Sequence, residues 1–322
     1  AVCNEAVKLA RKRGFSGLSG FVNGVLRSVA RGWKNVTFQN ESVRYSVPEW
    51  IIDGNKIDDR FFDYAMPLMM DKMRTNTQKC TPEELKDRLS QEGVTVEAIE
   101  GISYAFALSG FDYLAGLGSF QDGWFYVQDI SSMTVAHAAD PKKGDYIIDV
   151  CAAPGGKSSH LAELLDGSGM VEARDLTEYK VGLIEENILR HDLHNMKAVQ
   201  QDATLFDETS VEKADILICD LPCSGLGVIG RKSDIRYKMT AEKAHDLAVL
   251  QQEMLDTVWK YVKRGGKLIY STCTIHKEEN EDNVAAFLQK HPQFTLVEQR
   301  QIFPMEGSDG FFVAKMIRST DE

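Results

Sequence analysis

The 322-residue sequence lacks the signals of several protein classes. It has no uninterrupted run of about 18 apolar residues, so no membrane span is predicted. Residues 1–20 are charged and contain no apolar signal-peptide core. None of the six cysteines forms a Cys-x-x-Cys pair and the seven histidines show no ligand spacing, so we predict no metal site. In a long chain without a secretion signal, the cysteines are expected to be reduced thiols in the cytoplasm.

Basic residues are outnumbered by acidic ones, 37 Lys and Arg against 48 Asp and Glu, and they are unevenly placed. The net charge is −11, yet residues 1–45 hold eight Lys and Arg against two Glu, a net +6 that leaves −17 for the rest. This asymmetry indicates either a nucleic-acid-binding arm or a solvated basic helical face, and charge alone does not decide between them. The chain starts inside a predicted helix (Ala6 to Lys12), so we expect a truncated N-terminus.

Three regions follow from the hydrophobic pattern. We predict a helical domain over residues 1–45, a mixed α+β subdomain over 46–140 and an α/β domain over 141–322. In the second region, Thr81-Pro82-Glu83-Glu84 begins a helix that Gly93 ends, and short strands are predicted at Tyr104–Leu108 and Trp124–Val127.

After Gly144, apolar β-rich runs alternate with helical segments. The runs are Tyr146–Val150, Met170–Ala173, Ala198–Gln200, Ile216–Cys219, Lys267–Tyr270, Phe294–Val297 and Phe311–Met316, and the helices are Ser158–Leu165, Tyr179–Arg190, Ala241–Val262 and Asn280–His291. This alternation predicts a Rossmann-like, mostly parallel sheet of about seven strands. The loop before the last strand is too short for a crossover, so that strand is predicted to be antiparallel.

The first predicted strand runs into a glycine-rich turn. The turn is Cys151-Ala152-Ala153-Pro154-Gly155-Gly156-Lys157, which follows Asp149-Val150 and precedes a helix. It matches neither a dinucleotide fingerprint nor a Walker loop, and its glycines allow a ligand to approach the helix N-terminus closely.

Aspartates follow the next three strands. We expect Asp175 to hold a ribose diol and Asp202 to accept from an adenine amino group, while Asp220 ends the fourth strand. Each aspartate alone would be read as a helix cap or turn residue. A ribose, an adenine and a carboxylate partner for Lys157 together predict S-adenosylmethionine as cofactor.

Two cysteines fall at the same predicted sheet edge. Cys223 lies in Asp220-Leu221-Pro222-Cys223 and Cys273 in Ser271-Thr272-Cys273, whereas Cys151 and Cys219 fit small buried hydrophobic residues. A thiolate added to C6 of cytosine makes C5 nucleophilic enough to accept a methyl group. Asp220 is placed to hydrogen-bond the base, which must leave any stack to enter the pocket.

These motifs resemble the Nop/Sun family of RNA cytosine-C5 methyltransferases. The likeness covers about residues 45–318 and includes Val127–Ser132 and Asp309–Lys315, and within the family it is greatest to bacterial enzymes of small-subunit (16S) ribosomal RNA. Asn4–Val7 and Gly20–Arg27 resemble the end of a NusB-like RNA-binding domain. The resemblance implies a class I methyltransferase sheet with Cys273 as nucleophile and Cys223 assisting release. It also implies cofactor contacts from Cys151–Lys157, Asp175, Asp202 and Asp220, and a monomer acting on small-subunit ribosomal RNA.

The sequence is compatible with other functions, and it differs from the family pattern at two places. A transfer RNA or another ribosomal RNA cytosine, or a non-catalytic role in assembly, would fit the same fold. DNA cytosine methyltransferases would not need the Thr-Cys motif. Candidate phosphate contacts are the N-terminal basic residues with Arg74, Arg231, Lys232 and Arg236. Ser233 stands where the family pattern has Pro, and the stretch from Trp50 to Asn76 is shorter than expected.

Overall fold

The structure is a computed structural model of the chain. It describes residues 2–55, 57, 59–65 and 71–320. Residues 56, 58 and 66–70 of the shortened stretch lie outside the description, as do the side chains of Lys34, Asp59 and Asp63. The chain divides into two compact units, Ala1–Val47 and Pro48–Glu322.

The first unit is helical, as predicted. Its helices are α1 (Val2–Lys12), α2 (Ser19–Gly32) and α3 (Glu41–Tyr45), and α1 contacts α2. The Asn40 side chain caps α3 by accepting the Val43 N–H at 2.9 Å. Large apolar side chains, including Phe21 and Trp33, remain exposed on this unit.

The second unit begins with short helices and a four-stranded sheet. The helices are α4 (Glu49–Asn55), α5 (Asp59–Ala65), α6 (Pro82–Gln91) and α7 (Gly118–Gln121); the strands are β1 (Asp71–Thr75), β2 (Thr95–Ala98), β3 (Ala105–Ser109) and β4 (Phe125–Val127). The sheet order is β2-β3-β1-β4 and all pairs are antiparallel. α6 starts with the predicted cap, because Thr81 and Glu84 form a capping box.

The seven-stranded sheet is the centre of the second unit. Its strands are β5 (Tyr146–Asp149), β6 (Met170–Asp175), β7 (Met196–Gln200), β8 (Ala214–Asp220), β9 (Val262–Thr272), β10 (Phe294–Ile302) and β11 (Phe311–Arg318). The helices around it are α8 (Ile130–Ala139), α9 (Gly156–Leu164), α10 (Glu178–His191), α11 (Ile235–Lys238), α12 (Ala241–Val258) and α13 (Glu281–Lys290). The order is β10-β11-β9-β8-β5-β6-β7.

The predicted topology of this sheet is confirmed. β9, β8, β5, β6 and β7 are parallel, and β11 runs antiparallel between β9 and β10. The central strands are buried on both faces: Ile148 and Leu217 lie in one apolar cluster, and Ile147 and Ile218 in the other. Helices therefore cover both faces, and the carboxyl ends of the parallel strands form one edge of the sheet.

Two sequence predictions were wrong in this unit. The helix predicted to reach Val262 ends at Val258, and Val262 is the first residue of β9. Arg74, predicted as an RNA contact, is fully buried: Nη1 donates to Glu163 at 2.6 Å, Nε donates to Gln128 at 2.8 Å, and the guanidinium lies 4.1 Å from the Tyr126 ring centroid. It joins the small sheet to α9 and cannot reach a phosphate.

Candidate active site

The loop after β5 forms one wall of the candidate site. The Ala152 N–H donates to the Arg174 carbonyl at 2.8 Å and the Ala153 N–H to Asp175 Oδ2 at 3.0 Å, so β6 fixes the loop. Gly155 has a φ of +107°, which favours glycine, and it precedes the first residue of α9. A Cβ at Gly156 would meet no atom within 4 Å, which leaves open space beside the first turn of the helix.

The structure brings Asp175 and Asp202 to the same edge of the sheet. Asp175 ends β6 and is almost fully buried, with Oδ1 accepting from the Leu176 N–H at 2.8 Å and from Lys180 at 2.9 Å. Asp202 lies two residues beyond the end of β7 and accepts from the Thr204 N–H and hydroxyl at 2.8 and 2.7 Å. Both carboxylates thus stabilise local turns.

A cavity of about 290 Å³ opens beside the loop. Its lining combines charged and apolar groups: Asp149, Ala152, Ala153, Pro154, Gly156, Lys157, Asp220, Arg231, Lys232, Cys273 and Phe311 contribute to it. Most of the residues predicted for the site therefore meet in one place. Its mixed lining is typical of a pocket that orients a polar ligand.

An ion pair lies at the base of this cavity. Lys157 Nζ donates to Asp220 Oδ2 at 2.6 Å, and the Ser271 hydroxyl donates to Asp220 Oδ1 at 2.7 Å. Burial alone would lower the pKa of Lys157, but the Asp220 carboxylate raises it, and the net direction is upward. Lys157 is therefore a cation, and it is also 5.4 Å from the centroid of the Phe311 ring.

Asp149 is a further acidic group in the cavity that the sequence reading did not single out. It is buried, and the Ser158 hydroxyl donates to its Oδ2 at 2.5 Å. Burial, opposed by that hydrogen bond and reinforced by the charge of Asp220, raises the pKa of Asp149 to about 7. Only its place as the first residue of the loop motif marked it in the sequence.

The two predicted cysteines are in direct contact. Cys223 Sγ lies 3.1 Å from Cys273 Sγ, and both residues are partly buried. Their hydrogen bond is the main cause that lowers the pKa of Cys273; burial opposes it and the Lys157 ammonium supports it. The same hydrogen bond, followed by burial, raises the pKa of Cys223 well above its ordinary value. Of the two sulfurs, Cys273 therefore ionises more readily, and Cys223 is better suited to keep its proton.

The other cysteines lie apart from this pair. Cys219 is fully buried in β8, as expected for a small apolar residue, and burial raises its pKa well above the ordinary range. Cys151 is partly buried in the loop after β5, and burial raises its pKa too. Neither thiol is suited to act as a nucleophile.

Three of the predicted phosphate contacts lie between β8 and α12, Arg231 and Lys232 on a loop and Arg236 in α11. Arg231 forms ion pairs with Asp309 at 2.8 Å and with Asp129 at 3.3 Å, so its charge is largely engaged within the protein. Lys232 lines the cavity, and the Arg236 guanidinium lies 5.5 Å from the Tyr237 ring centroid. Arg231 and Lys232 thus both face the candidate site, and Arg231 does so from within its ion pairs.

Glycines allow this loop to lie close to the cysteines. The Gly227 N–H donates to the Cys273 carbonyl at 3.1 Å, and the Gly310 N–H donates to the Gly227 carbonyl at 2.9 Å. A Cβ at Gly227 would lie 2.0 Å from the Gly310 carbonyl oxygen. Only glycine fits at this approach, which ties the Cys223 loop, the end of β9 and the hairpin before β11 together.

We expect Gly227→Ala to destabilise the protein by at least about 2 kcal/mol, because the new methyl group overlaps backbone atoms that cannot rotate away. Denaturant unfolding measures this change. Gly182→Ala, in α10, is the matched control: its Cβ would meet no atom within 4 Å, so the free energy of unfolding should rise by about 1 kcal/mol or less. Equal stability of both variants would contradict the tight contact at Gly227.

Within the residues that the structure describes, no group of three or more His, Cys, Asp and Glu side chains could hold a metal ion. Among the helices described, none is long and apolar enough to cross a membrane.

Comparison with known proteins gives consistent results along the whole chain. The family model "16S rRNA methyltransferase RsmB/F" matches residues 136–317, and the NusB family model matches residues 1–31. Probable ribosomal RNA small subunit methyltransferase B of Bacillus subtilis is 37% identical, with coverage of 98% of this chain and 77% of the relative. Ribosomal RNA small subunit methyltransferase B of Pectobacterium carotovorum is 32% identical, with coverage of 94% and 74%.

A solved structure also matches the fold. A methyltransferase homologue from Pyrococcus horikoshii is 25% identical and covers 86% of this chain and 97% of its own, with a TM-score of 0.76. The match spans most of the chain, which agrees with the predicted class I methyltransferase sheet.

Proposed function

The chain belongs to the 16S rRNA methyltransferase RsmB/F family, and from this we propose that it methylates C5 of a cytosine in small-subunit ribosomal RNA through a covalent bond to Cys273. Its methyl donor is S-adenosylmethionine. The observation that carries the proposal is the pair of sulfur atoms 3.1 Å apart beside the Lys157–Asp220 ion pair. Because its proposed substrate is ribosomal RNA, we expect the protein in the cytoplasm.

The residues at the sheet edge fit the cofactor chemically. The uncapped start of α9 with open space at Gly156 suits a carboxylate, because the first helical N–H groups attract anions. The buried carboxylate of Asp175 suits a ribose diol, and Asp202 suits an adenine amino group. We assign these roles together with contacts from Cys151 to Lys157. When bound, the cofactor supplies a methyl group on a positively charged sulfur.

Lys157 has a second role in this proposal. Because its ammonium is held against Asp220 rather than free, it belongs to the reacting centre as much as to the cofactor. Asp220 accepts from the cytosine amino group, and the neighbouring ammonium supplies positive charge as N3 gains electron density. These contacts hold the flipped base with C6 facing the Cys273 thiolate.

Cys273 and Cys223 divide the covalent work. The Cys273 thiolate adds to C6, C5 takes the methyl group, and a base removes the C5 proton while Cys273 leaves as a thiolate. The two sulfurs are in contact, and in this proposal the thiol of Cys223 donates to the Cys273 thiolate. It therefore stabilises Cys273 before attack and again when it leaves, which accounts for a role in release.

Methyl transfer from labelled S-adenosylmethionine to unmodified small-subunit ribosomal RNA tests the proposal. After digestion to nucleosides, we expect the label in 5-methylcytidine. Label in that nucleoside only with transfer RNA or large-subunit RNA would change the substrate and keep the chemistry. RNA binding without any label would overturn the proposal and favour a non-catalytic role in assembly.

A further inference from the structure

A buried carboxylate lies behind the two cysteines. Glu279 belongs to the turn after β9 and is fully buried. Burial raises its pKa, opposed by hydrogen bonds from Ser224. Its burial could not be read from the sequence, because Glu278, Glu279 and Glu281 form an acidic cluster of the kind that normally begins a helix in solvent.

Three donors converge on this carboxylate. The Ser224 N–H donates to Glu279 Oε2 at 2.8 Å, and Gln251 Nε2 donates to the same oxygen at 3.1 Å. The Ser224 hydroxyl donates to Oε1. Gln251 Nε2 also donates to the Pro222 carbonyl at 2.8 Å. These donors fit an ionised carboxylate, and through Ser224 and Gln251 it holds the chain on both sides of Cys223.

The same carboxylate reaches the loop of Cys273. The Ser224 hydroxyl lies 2.8 Å from the Thr274 hydroxyl. With Glu279 ionised, the single Ser224 hydrogen is directed at Glu279, and the Thr274 hydroxyl is then the donor to Ser224. The chain of hydrogen bonds therefore runs from Thr274 through Ser224 to Glu279, and it joins the residues that directly follow the two cysteines.

We propose that Glu279 is a positioning residue that sets the spacing of the two sulfurs and keeps Cys223 as the donor and Cys273 as the thiolate. The inference builds on the roles given to the cysteines under the proposed function. A fixed negative charge near Cys223 disfavours a second negative charge there, and burial strengthens the effect. Consistent with this, Glu279 is among the groups that raise the pKa of Cys223.

Other ionisable groups also act on the sulfur pair. The charges of Asp220, Lys157 and Lys232 influence the pKa of Cys273. Tyr270 and Glu279 interact electrostatically with Cys223. His276 Nδ1 lies 3.6 Å from Glu279 Oε1. A test must therefore change Glu279 without changing these neighbours.

Glu279→Gln makes that change, because the shape is kept while the charge is lost and one acceptor becomes a donor. Alkylation with iodoacetamide, without RNA or cofactor, followed by peptide mass spectrometry measures which sulfur is ionised. Wild type should be labelled first at Cys273. In Glu279→Gln, the ratio of label on Cys223 to label on Cys273 should rise on the order of tenfold, which corresponds to a fall of about one in the pKa of Cys223. An unchanged ratio in the folded variant would overturn the proposal.

Glu278→Gln is the matched control. Glu278 is the preceding residue of the same turn, with its carboxylate in an exposed pair with His245 at 2.5 Å. Its replacement should leave both the labelling ratio and methyl transfer at wild-type values. A shift as large as that of Glu279→Gln would show that any lost charge in the turn is sufficient, and the positioning role would be wrong.

Ser224→Ala separates spacing from charge and serves if Glu279→Gln does not fold. It removes the hydroxyl link to Thr274 but keeps the charge and the backbone hydrogen bond. We expect kcat for methyl transfer to fall roughly tenfold with KM for RNA unchanged, and labelling to stay on Cys273. Wild-type kcat would overturn the proposal. Because labelling needs no RNA, a protein that failed to methylate ribosomal RNA would refute the proposed function and still report on Glu279.

Discussion

Cys273→Ala is expected to reduce methyl transfer by roughly four orders of magnitude or more, because C5 of cytosine is not nucleophilic until a thiolate has added to C6. The variant should bind S-adenosylmethionine and RNA as wild type does. Cys273 is partly buried at a strand end, so the smaller side chain should cost little stability. Single-turnover methyl transfer with labelled cofactor measures the rate, and circular dichroism checks the fold.

Cys80→Ala is the control for loss of a thiol. Cys80 is buried in the core of the four-stranded sheet, with its sulfur 3.7 Å from the Trp124 carbonyl oxygen, and it takes no part in the cavity. Its replacement should preserve the rate per folded molecule. Wild-type turnover by Cys273→Ala would refute the assignment of the nucleophile.

Cys223→Ala is expected to convert a transient adduct into an accumulating one. Without the thiol donor 3.1 Å away, the Cys273 thiolate loses its hydrogen bond and its pKa rises. The free thiolate is then less stable relative to the bonded sulfur, so expulsion from C6 slows. With RNA and cofactor, a slow-migrating RNA–protein species should appear on a denaturing gel and persist for the length of the incubation.

The double variant Cys223→Ala, Cys273→Ala identifies the sulfur that forms this species. It should give no adduct, since the only proposed nucleophile is gone. If the single variant releases RNA as fast as wild type, Cys223 has no role in release. If the double variant still forms the adduct, another residue carries the covalent bond.

The seven-stranded sheet was predictable because its signals are local. Each parallel strand is a short apolar run buried on both faces, and the capping and glycine signals at its ends are read directly from the sequence. The clustering of Asp220 and Cys273 followed from the same topology, since carboxyl ends of parallel strands meet at one edge. The distance between the two sulfurs did not follow, because it depends on loop packing at Gly227 and Gly310.

The errors concern residues whose surroundings are set by distant parts of the chain. β1 contains Lys72 and Arg74, so it does not resemble a buried strand, yet both side chains are buried against partners more than 50 residues away. Val262 continues an apolar helical pattern, but pairing of the next strand with β8 ends the helix earlier. Glu279 depends on Ser224 and Gln251, which no spacing rule connects to it.

The function of the first unit stays a prediction. Its basic residues and its NusB family match suit an RNA-binding role. The domain boundaries expected at residues 45 and 140 also stay predictions. Phosphate contacts from this unit would make RNA affinity fall steeply with salt. Arg74 is removed from that set by its burial, while Lys232 remains in it.

RNA that carries 5-fluorocytidine gives the most direct test of the covalent route. After methyl transfer to C5, fluorine cannot be removed as a proton can, so the enzyme stays bonded to C6. Peptide mass spectrometry of the wild-type complex, formed with small-subunit ribosomal RNA and S-adenosylmethionine, should find the nucleotide on the peptide that contains Cys273. A nucleotide on the Cys223 peptide, or no adduct while unmodified RNA is still methylated, would contradict the account.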